Sequence, residues 1–391
     1  MGDSASQSAA ARPVTLRTIA REWGRIGCLG FGGPPAHIAL LRELCVERRG
    51  WIGATEFEDG IAATNLLPGP ASTQLAIYTA WRLRGTAGAM VGGLCFIAPG
   101  LALILVLAAV FLAADSPRWV HGAAAGAGAA VAAVAVHAAV GLIPASWARA
   151  GTLRAARLRW IAYAALGLAA AAPLGPWLVL VLIGTGLLEV AIRVGLPSRP
   201  VAAVPLASAS GITAGGLAAL AWVAFKVGAL SYGGGFVIIP LMHADAVGHY
   251  HWMTDGQFLD AVALGQITPG PVVQTVAVVG YAAAGVPGGL LAAAIAFAPS
   301  FVFVLAGGRH FDRLRADRRV QAFLTGAGPA VIGAIAGSAI PLTLALHHLW
   351  QFAVLGAAAA WLLAARRAVV SALLGAGLLG LAAAVAGWPV G

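Results

Sequence analysis

Charge is what this sequence has least of. Of 391 residues only 10% are Asp, Glu, Lys or Arg, while 60% are hydrophobic. A soluble domain carries about 25% charged residues, because it must coat itself in water. So small a supply excludes an ordinary water-soluble fold and leaves lipid as the solvent for most of the chain. Lysine is nearly missing: among 24 basic residues, Lys226 is the only one that is not arginine. The net charge of +10 therefore comes from arginines in short segments, the pattern that sets topology under the positive-inside rule. No basic surface interleaved with aromatics accompanies it, so nucleic acid is not an expected partner.

Cysteine is scarce as well. Cys28, Cys45 and Cys95 have no paired spacing, which excludes a disulfide framework and makes them apolar packing residues. No CxxC, HExxH or GxxxxGK[ST] segment occurs. Neither a resident metal, a cofactor nor direct use of ATP is therefore expected. A GxSxG elbow and a His-rich box are missing too, which argues against an enzyme buried in the membrane. The N-terminus has no continuous apolar h-region, so no cleaved signal peptide is expected.

What the chain does have is long apolar runs: Thr86–Ala114, Trp119–Pro144, Pro176–Ala191, Gly285–Gly307 and Val369–Trp388. Several reach the roughly 20 residues that cross a hydrocarbon core as a helix. It also repeats itself. At an offset of 201, Leu29, Phe31, Gly32 and Gly33 fall on Leu230, Tyr232, Gly233 and Gly234. At the same offset Trp51, Phe57 and Asp59 fall on Trp252, Phe258 and Asp260, and Pro68-Gly69-Pro70 falls on Pro269-Gly270-Pro271. After a slip of one residue, Gly85, Pro99, Arg118 and Gly126 match Gly285, Pro299, Arg318 and Gly326.

The expected fold is thus an all-α integral membrane protein of two homologous halves, with helices broken at Gly-rich and Pro-Gly-Pro motifs. Its parts are a cytoplasmic tail over 1–18, a first repeat over 19–192, a linker over 193–215 and a second repeat over 216–391. Each half holds six apolar elements, near 19–46, 55–82, 86–113, 119–144, 158–172 and 176–192 in the first. In the second they lie near 216–243, 255–283, 286–307, 320–346, 350–364 and 369–388. Arginines flank elements one and two and follow element four in the first half, but follow elements three and five in the second. Equivalent segments carry opposite bias, which predicts inverted repeats, an architecture common among secondary transporters. Basic segments on both sides of elements one and two mean that neither crosses there. Four crossings per half would leave the copies parallel, so inversion requires one more, placed here in the linker.

Pro-Gly-Pro cannot continue a regular helix, because each Pro lacks an N–H and clashes with the preceding turn. Pro68-Gly69-Pro70, Pro269-Gly270-Pro271, Gly32-Gly33-Pro34-Pro35 and Gly233-Gly234-Gly235 therefore mark broken helices. Broken backbone is tolerated at membrane depth only where it is buried in protein or lines a wet cavity. Singly, such residues mark kinks or packing; the pairing of four breaks points to one interior site. Ser72, Thr73 and Gln74 in one copy, and Gln274 and Thr275 in the other, open new helices whose free N–H groups favour an anion. Asn65 and Gln266 place an amide before each Pro-Gly-Pro break, with Thr268 between Gln266 and Pro269. Arg25 aligns with Lys226, six residues before the aromatics Phe31 and Tyr232. A cation there in both copies is costly in lipid and calls for a negative partner, here a small dianion. Asp59 and Asp260 could carry protons or coupling ions, and N-capping is the plainer reading of both.

These residues resemble the chromate ion transporter family in its long, two-domain form. The resemblance rests on Phe31-Gly32-Gly33-Pro34, Asn65-Leu66-Leu67-Pro68-Gly69-Pro70 and Gln74, Tyr232-Gly233-Gly234-Gly235, and Gln266-Ile267-Thr268-Pro269-Gly270-Pro271. It covers nearly the whole chain. It implies a multi-pass protein of the bacterial cytoplasmic membrane, lipid-embedded and open to homodimer formation, that exports chromate and confers chromate resistance. Sulfate or another oxyanion is the alternative substrate that the resemblance leaves open.

Overall fold

The structure is a computed structural model that describes residues 14–65, 67–113, 117–171, 178–195, 216–231, 238–307, 313 and 316–390. Among the described residues every regular element is helical. The first half contains α1 (Leu16–Leu29), α2 (Pro34–Arg42), α3 (Ala54–Thr64), α4 (Ala71–Phe111), α5 (Arg118–Ala129), α6 (Val131–Ala150), α7 (Arg154–Ala170) and α8 (Leu178–Val194). The second contains α9 (Leu217–Leu230), α10 (Ile238–His243), α11 (Asp255–Ile267), α12 (Thr275–Gly307), α13 (Arg318–Leu344), α14 (Leu349–Ala359) and α15 (Val369–Val385). In the repeat α13 corresponds to α5 and α6 together. Local chemistry sets several starts: Thr15 caps α1, Thr254 and Gln257 form a reciprocal capping box on α11, and Asp317 caps α13.

The longest helix, α4, is not one rod. Arg84 and Gly85 leave helical geometry, at φ −143°, ψ 25° and φ 59°, ψ −149°. Ala284 and Gly285 repeat these angles in α12, at φ −154°, ψ 29° and φ 64°, ψ −158°. The chain folds back on itself at both places. A Cβ added to Gly88 would lie 2.2 Å from the Ala80 carbonyl oxygen, although eight residues of straight helix span about 12 Å. Gly280 and Gly288 meet in the same way. Small residues let the two arms approach backbone to backbone.

The segments before these reversals enter and leave on one side. Gly60 of α3 faces Leu75 and Tyr78 in the first arm of α4, and Glu56 pairs with Arg82 across the two bases. With 11 residues, α3 is about 16 Å long, half of a ~30 Å hydrocarbon core. The chain leaving α1 also returns: Trp51 stacks on Trp23 at 6.5 Å and Arg49 reaches Glu22 at 3.2 Å. Apolar elements one and two are therefore re-entrant hairpins, and element one comprises two helices around its Gly-rich break.

The two halves are inverted. In the second arms of α4 and α12, Gly93 packs on Phe301 while Leu105 packs on Gly289. Equivalent helices thus run antiparallel, so the two-fold relating them lies across the helices, in the membrane plane. Exchange of helices seals the pairing. Gly122 and Gly126 of α5 sit against Gly380 of α15, and Gly326 of α13 sits against Thr185 of α8. The core at the hairpins is aromatic, with Trp23, Phe57, Phe96 and Phe258 fully buried. Outward faces stay apolar, as at Leu158 and Leu378, in keeping with lipid as solvent. The linker expected over 193–215, with the odd pass placed in it, lies outside the described residues from 196 to 215.

Candidate functional site

Each Pro-Gly-Pro segment reaches across to the residue that caps the first helix of the other half. The Gly69 N–H donates to the Ser231 carbonyl at 3.1 Å, and the Gly270 N–H donates to the Gly30 carbonyl at 3.0 Å. Donors and acceptors are both 201 positions apart, so the pair of bonds obeys the two-fold. The backbone at Gly69 and Gly270 has φ 121° and 101°, a region that side chains disfavour, which explains glycine between the prolines. These two N–H groups are committed to the opposite half. The N–H groups open to a ligand are those of Ala71, Ser72 and Thr73, because the first bond inside α4 runs from Gln74 N–H to the Pro70 carbonyl.

Side chains crowd the same crossing. Gln74 donates to the Pro68 carbonyl at 2.7 Å, and Gln274 donates to the Ile97 carbonyl at 2.9 Å. Six buried polar atoms have no partner among the described residues: Thr73 Oγ1, Gln74 Oε1, Ser231 Oγ, Gln266 Nε2, Gln274 Oε1 and Ser300 Oγ. Each such atom costs about 1–3 kcal/mol unless something else binds it. All six belong to the breaks or to Ser300, whose hydroxyl would lie 3.2 Å from a Cβ at Gly69. Among the described residues no cluster of three His, Cys, Asp or Glu is placed to hold a metal.

The sequence-predicted residues divide by burial. Ser72, Thr73, Gln74, Gly69 and Pro70 are buried, as are Gln266, Thr268, Pro269, Gly270, Pro271, Gln274 and Thr275. Asn65, Pro68, Phe31 and Gly32 are exposed and Gly33 is half-buried. Tyr232, Gly233 and Gly234 lie outside the described residues.

The two aligned cations part company. Arg25 is exposed, whereas Lys226 is buried with its ammonium 2.6 Å from Asp245 Oδ2. Lys226 already has its negative partner, so the structure does not bring two free cations to one dianion. Asp245 aligns with Leu44, and that polar departure from the repeat was the available signal for the pair. The N-capping reading of Asp59 and Asp260 is corrected. Both lie midway along α3 and α11, whose N-caps are Gly53 and Thr254.

Sequence reasoning missed His37. It is fully buried, with Nε2 2.9 Å from the Gly30 carbonyl and Nδ1 3.3 Å from Ser72 Oγ. Only an N–H can bond a carbonyl, so Nε2 carries the proton and Nδ1 accepts from Ser72 in the neutral ring. His37 thereby ties the first Gly-rich break to the first turn of α4, with Phe96 edge-on at 5.0 Å. Its repeat partner is Ile238, again a polar departure. Beside the first Pro-Gly-Pro break lies a cavity of about 190 Å³, whose lining includes Thr64, Asn65, Gly69, Ser146 and Arg149.

The chromate transporter family profile matches residues 17–189 and again residues 218–382, one match in each half. The chain belongs to the chromate transporter family. A chromate transport protein of Cupriavidus metallidurans is 33% identical over 343 residues, covering 84% of this chain and 82% of the relative. A chromate transport protein of Pseudomonas aeruginosa is 31% identical over 359 residues, covering 86% and 83%. A probable chromate transport protein of Synechococcus elongatus is 29% identical over 357 residues, covering 86% and 87%. No solved structure matches the chain. For this chromate transporter family member, multi-pass membrane placement follows from the family together with its apolar helices.

Proposed function

We propose that the protein exports chromate across the bacterial cytoplasmic membrane and so confers chromate resistance, with the crossing of the four breaks as its substrate site. The observation that carries this reading is the set of six unpartnered buried polar atoms at that crossing. The hydroxyls of Thr73, Ser231 and Ser300 and the amide of Gln266 supply donors around a tetrahedral oxyanion. The N–H groups opening α4 add the positive end of a helix dipole. Gln74 Oε1 and Gln274 Oε1 are acceptors, suited to water that travels with the ion. An inverted pair of re-entrant hairpins can expose one such site to either face in turn, by rocking one half against the other.

Direction follows from the charge of the cargo. A dianion leaving a negative interior gains roughly 4–5 kcal/mol at 100 mV, so export runs downhill while import needs a coupled ion. Purified protein in liposomes tests the proposal. Chromate flux should saturate, follow an imposed potential and be competed by sulfate more weakly than by chromate. Absence of chromate flux at every gradient would sink the reading, and sulfate flux without chromate flux would transfer it to a sulfate carrier.

A further inference from the structure

We propose that the cavity beside the first Pro-Gly-Pro break is the vestibule by which the oxyanion reaches the crossing, and that Arg149 selects for anions there. This rests on the oxyanion reading above. The cavity holds about 190 Å³, well over ten times what one ordered water requires. Gly69 and Ala71 form one side of it, at the start of α4. Thr64 and Asn65 line it from the end of α3, and Ser146 and Arg149 from the last turns of α6. Ser146 accepts a hydrogen bond from Trp160 Nε1 at 2.9 Å, which leaves its own O–H as a donor. Arg149 also engages another group within the protein.

The second half has no such chemistry at the equivalent place. At the offset of 200, Leu142 and Ser146 become Leu342 and Leu346, whereas α13 ends at Leu344 and the sequence match of Arg149, Leu349, opens α14. Leu342 and Leu346 are 1% and 6% exposed and pack into the core. In an inverted pair these equivalent positions lie toward opposite faces. The vestibule therefore serves one face alone, that of the arginine-rich segment Arg154, Arg157 and Arg159 after α6. By the positive-inside rule this face is cytoplasmic, where an exported anion must be collected. A guanidinium in a narrow cleft concentrates anions and excludes cations, and its planar fork matches an oxyanion edge.

The test reads anion approach without requiring transport. Cysteine is placed on the cavity wall as Ala145→Cys, and inverted and right-side-out vesicles are treated with anionic or cationic methanethiosulfonates. Peptide mapping quantifies modification at position 145. In inverted vesicles the anionic reagent should react about tenfold faster than the cationic one, after correction for their rates with a free thiol. That preference should collapse with Arg149→Gln, persist with Arg149→Lys and fade in high salt. Right-side-out vesicles should label slowly with both reagents. An anionic preference that survives Arg149→Gln, no preference in the parent, or faster labelling from outside would each overturn the proposal. Should Arg149→Gln fail to reach the membrane, the salt response of the parent decides: a preference untouched by salt refutes the vestibule. If the preference holds but liposomes carry no oxyanion, the transport reading fails and the anion-selective cavity stands.

Discussion

Gly69→Ala probes the crossing with a single methyl group. At φ 121° a side chain suffers backbone strain of about 1–3 kcal/mol. The new Cβ would lie 2.5 Å from Gln74 Nε2 and 3.2 Å from Ser300 Oγ. The Gln74 amide would have to swing away, losing its 2.7 Å bond to the Pro68 carbonyl, a further ~0.5–1.5 kcal/mol. The sum, about 2–4 kcal/mol, lowers the population of the observed break by roughly 30- to 1,000-fold at 1.4 kcal/mol per decade. The assay is the initial rate of chromate accumulation in inverted vesicles, normalised to protein that elutes as a single species in detergent. Gly50→Ala is the matched control, because Gly50 also has positive φ, at 58°, but a Cβ there meets nothing within 4 Å. Gly69→Ala should transport at least tenfold more slowly, while Gly50→Ala stays near the parent rate. Parental flux in Gly69→Ala would refute the claim that this break geometry belongs to the transport cycle.

Lys226→Met should destabilise the fold by about 3–5 kcal/mol, because Asp245 is left buried and unpaired. Thermal unfolding in detergent should show the loss, most of which returns in the Lys226→Met, Asp245→Leu double variant. Arg25→Ala, at an exposed position, should stay within ~0.5 kcal/mol of the parent. A stable Lys226→Met protein that no longer transports would restore a direct role for Lys226 at the anion. His37→Ala removes the link between the Gly30 carbonyl and Ser72 and should slow transport about tenfold, from two lost hydrogen bonds at ~0.5–1.5 kcal/mol each. His37→Gln, able to replace one of them, should fall between; full activity in His37→Ala would make the histidine a packing residue.

The duplication and the breaks were legible because both depend on residues whose backbone behaviour is local. Pro and Gly act on their own chain wherever they stand, so Pro68-Gly69-Pro70 and its repeat announce themselves. Inversion was legible through arginine placement, which reports on topology. The partner of each break was not, since Gly69 meets Ser231 through a backbone carbonyl that any residue type could offer. Lys226 misled for a related reason. Alignment shows that Arg25 and Lys226 occupy equivalent positions but says nothing of what pairs with them: Lys226 meets Asp245, while the buried Glu22 near Arg25 pairs with Arg49. His37, Ser231 and Ser300 were overlooked because the repeat was read for its identities. Their counterparts are Ile238, Gly30 and Gly100, so the signal lay in the departures.

Those departures bear on how a two-fold fold can transport in one direction. A perfectly symmetric inverted pair would present the same surface to each face, and only the membrane potential and the concentrations would set the flux. Here the shared parts are the ones that hold the crossing: Gly69 with Gly270, Gln74 with Gln274, and the reversals at Gly85 and Gly285. The unshared parts lie around it. His37 binds the Gly-rich break of the first half to α4, while Lys226 and Asp245 form an ion pair only in the second. Ser146 and Arg149 line the cavity beside the first break, whereas Leu346, the match of Ser146, packs into the core. In the proposed transport cycle, symmetry supplies two exchangeable conformations, and asymmetry sets their relative stability and what each admits. Turning Ser146 and Arg149 into leucines should remove this one asymmetry, raising the KM for chromate on the basic face while leaving the hairpins intact.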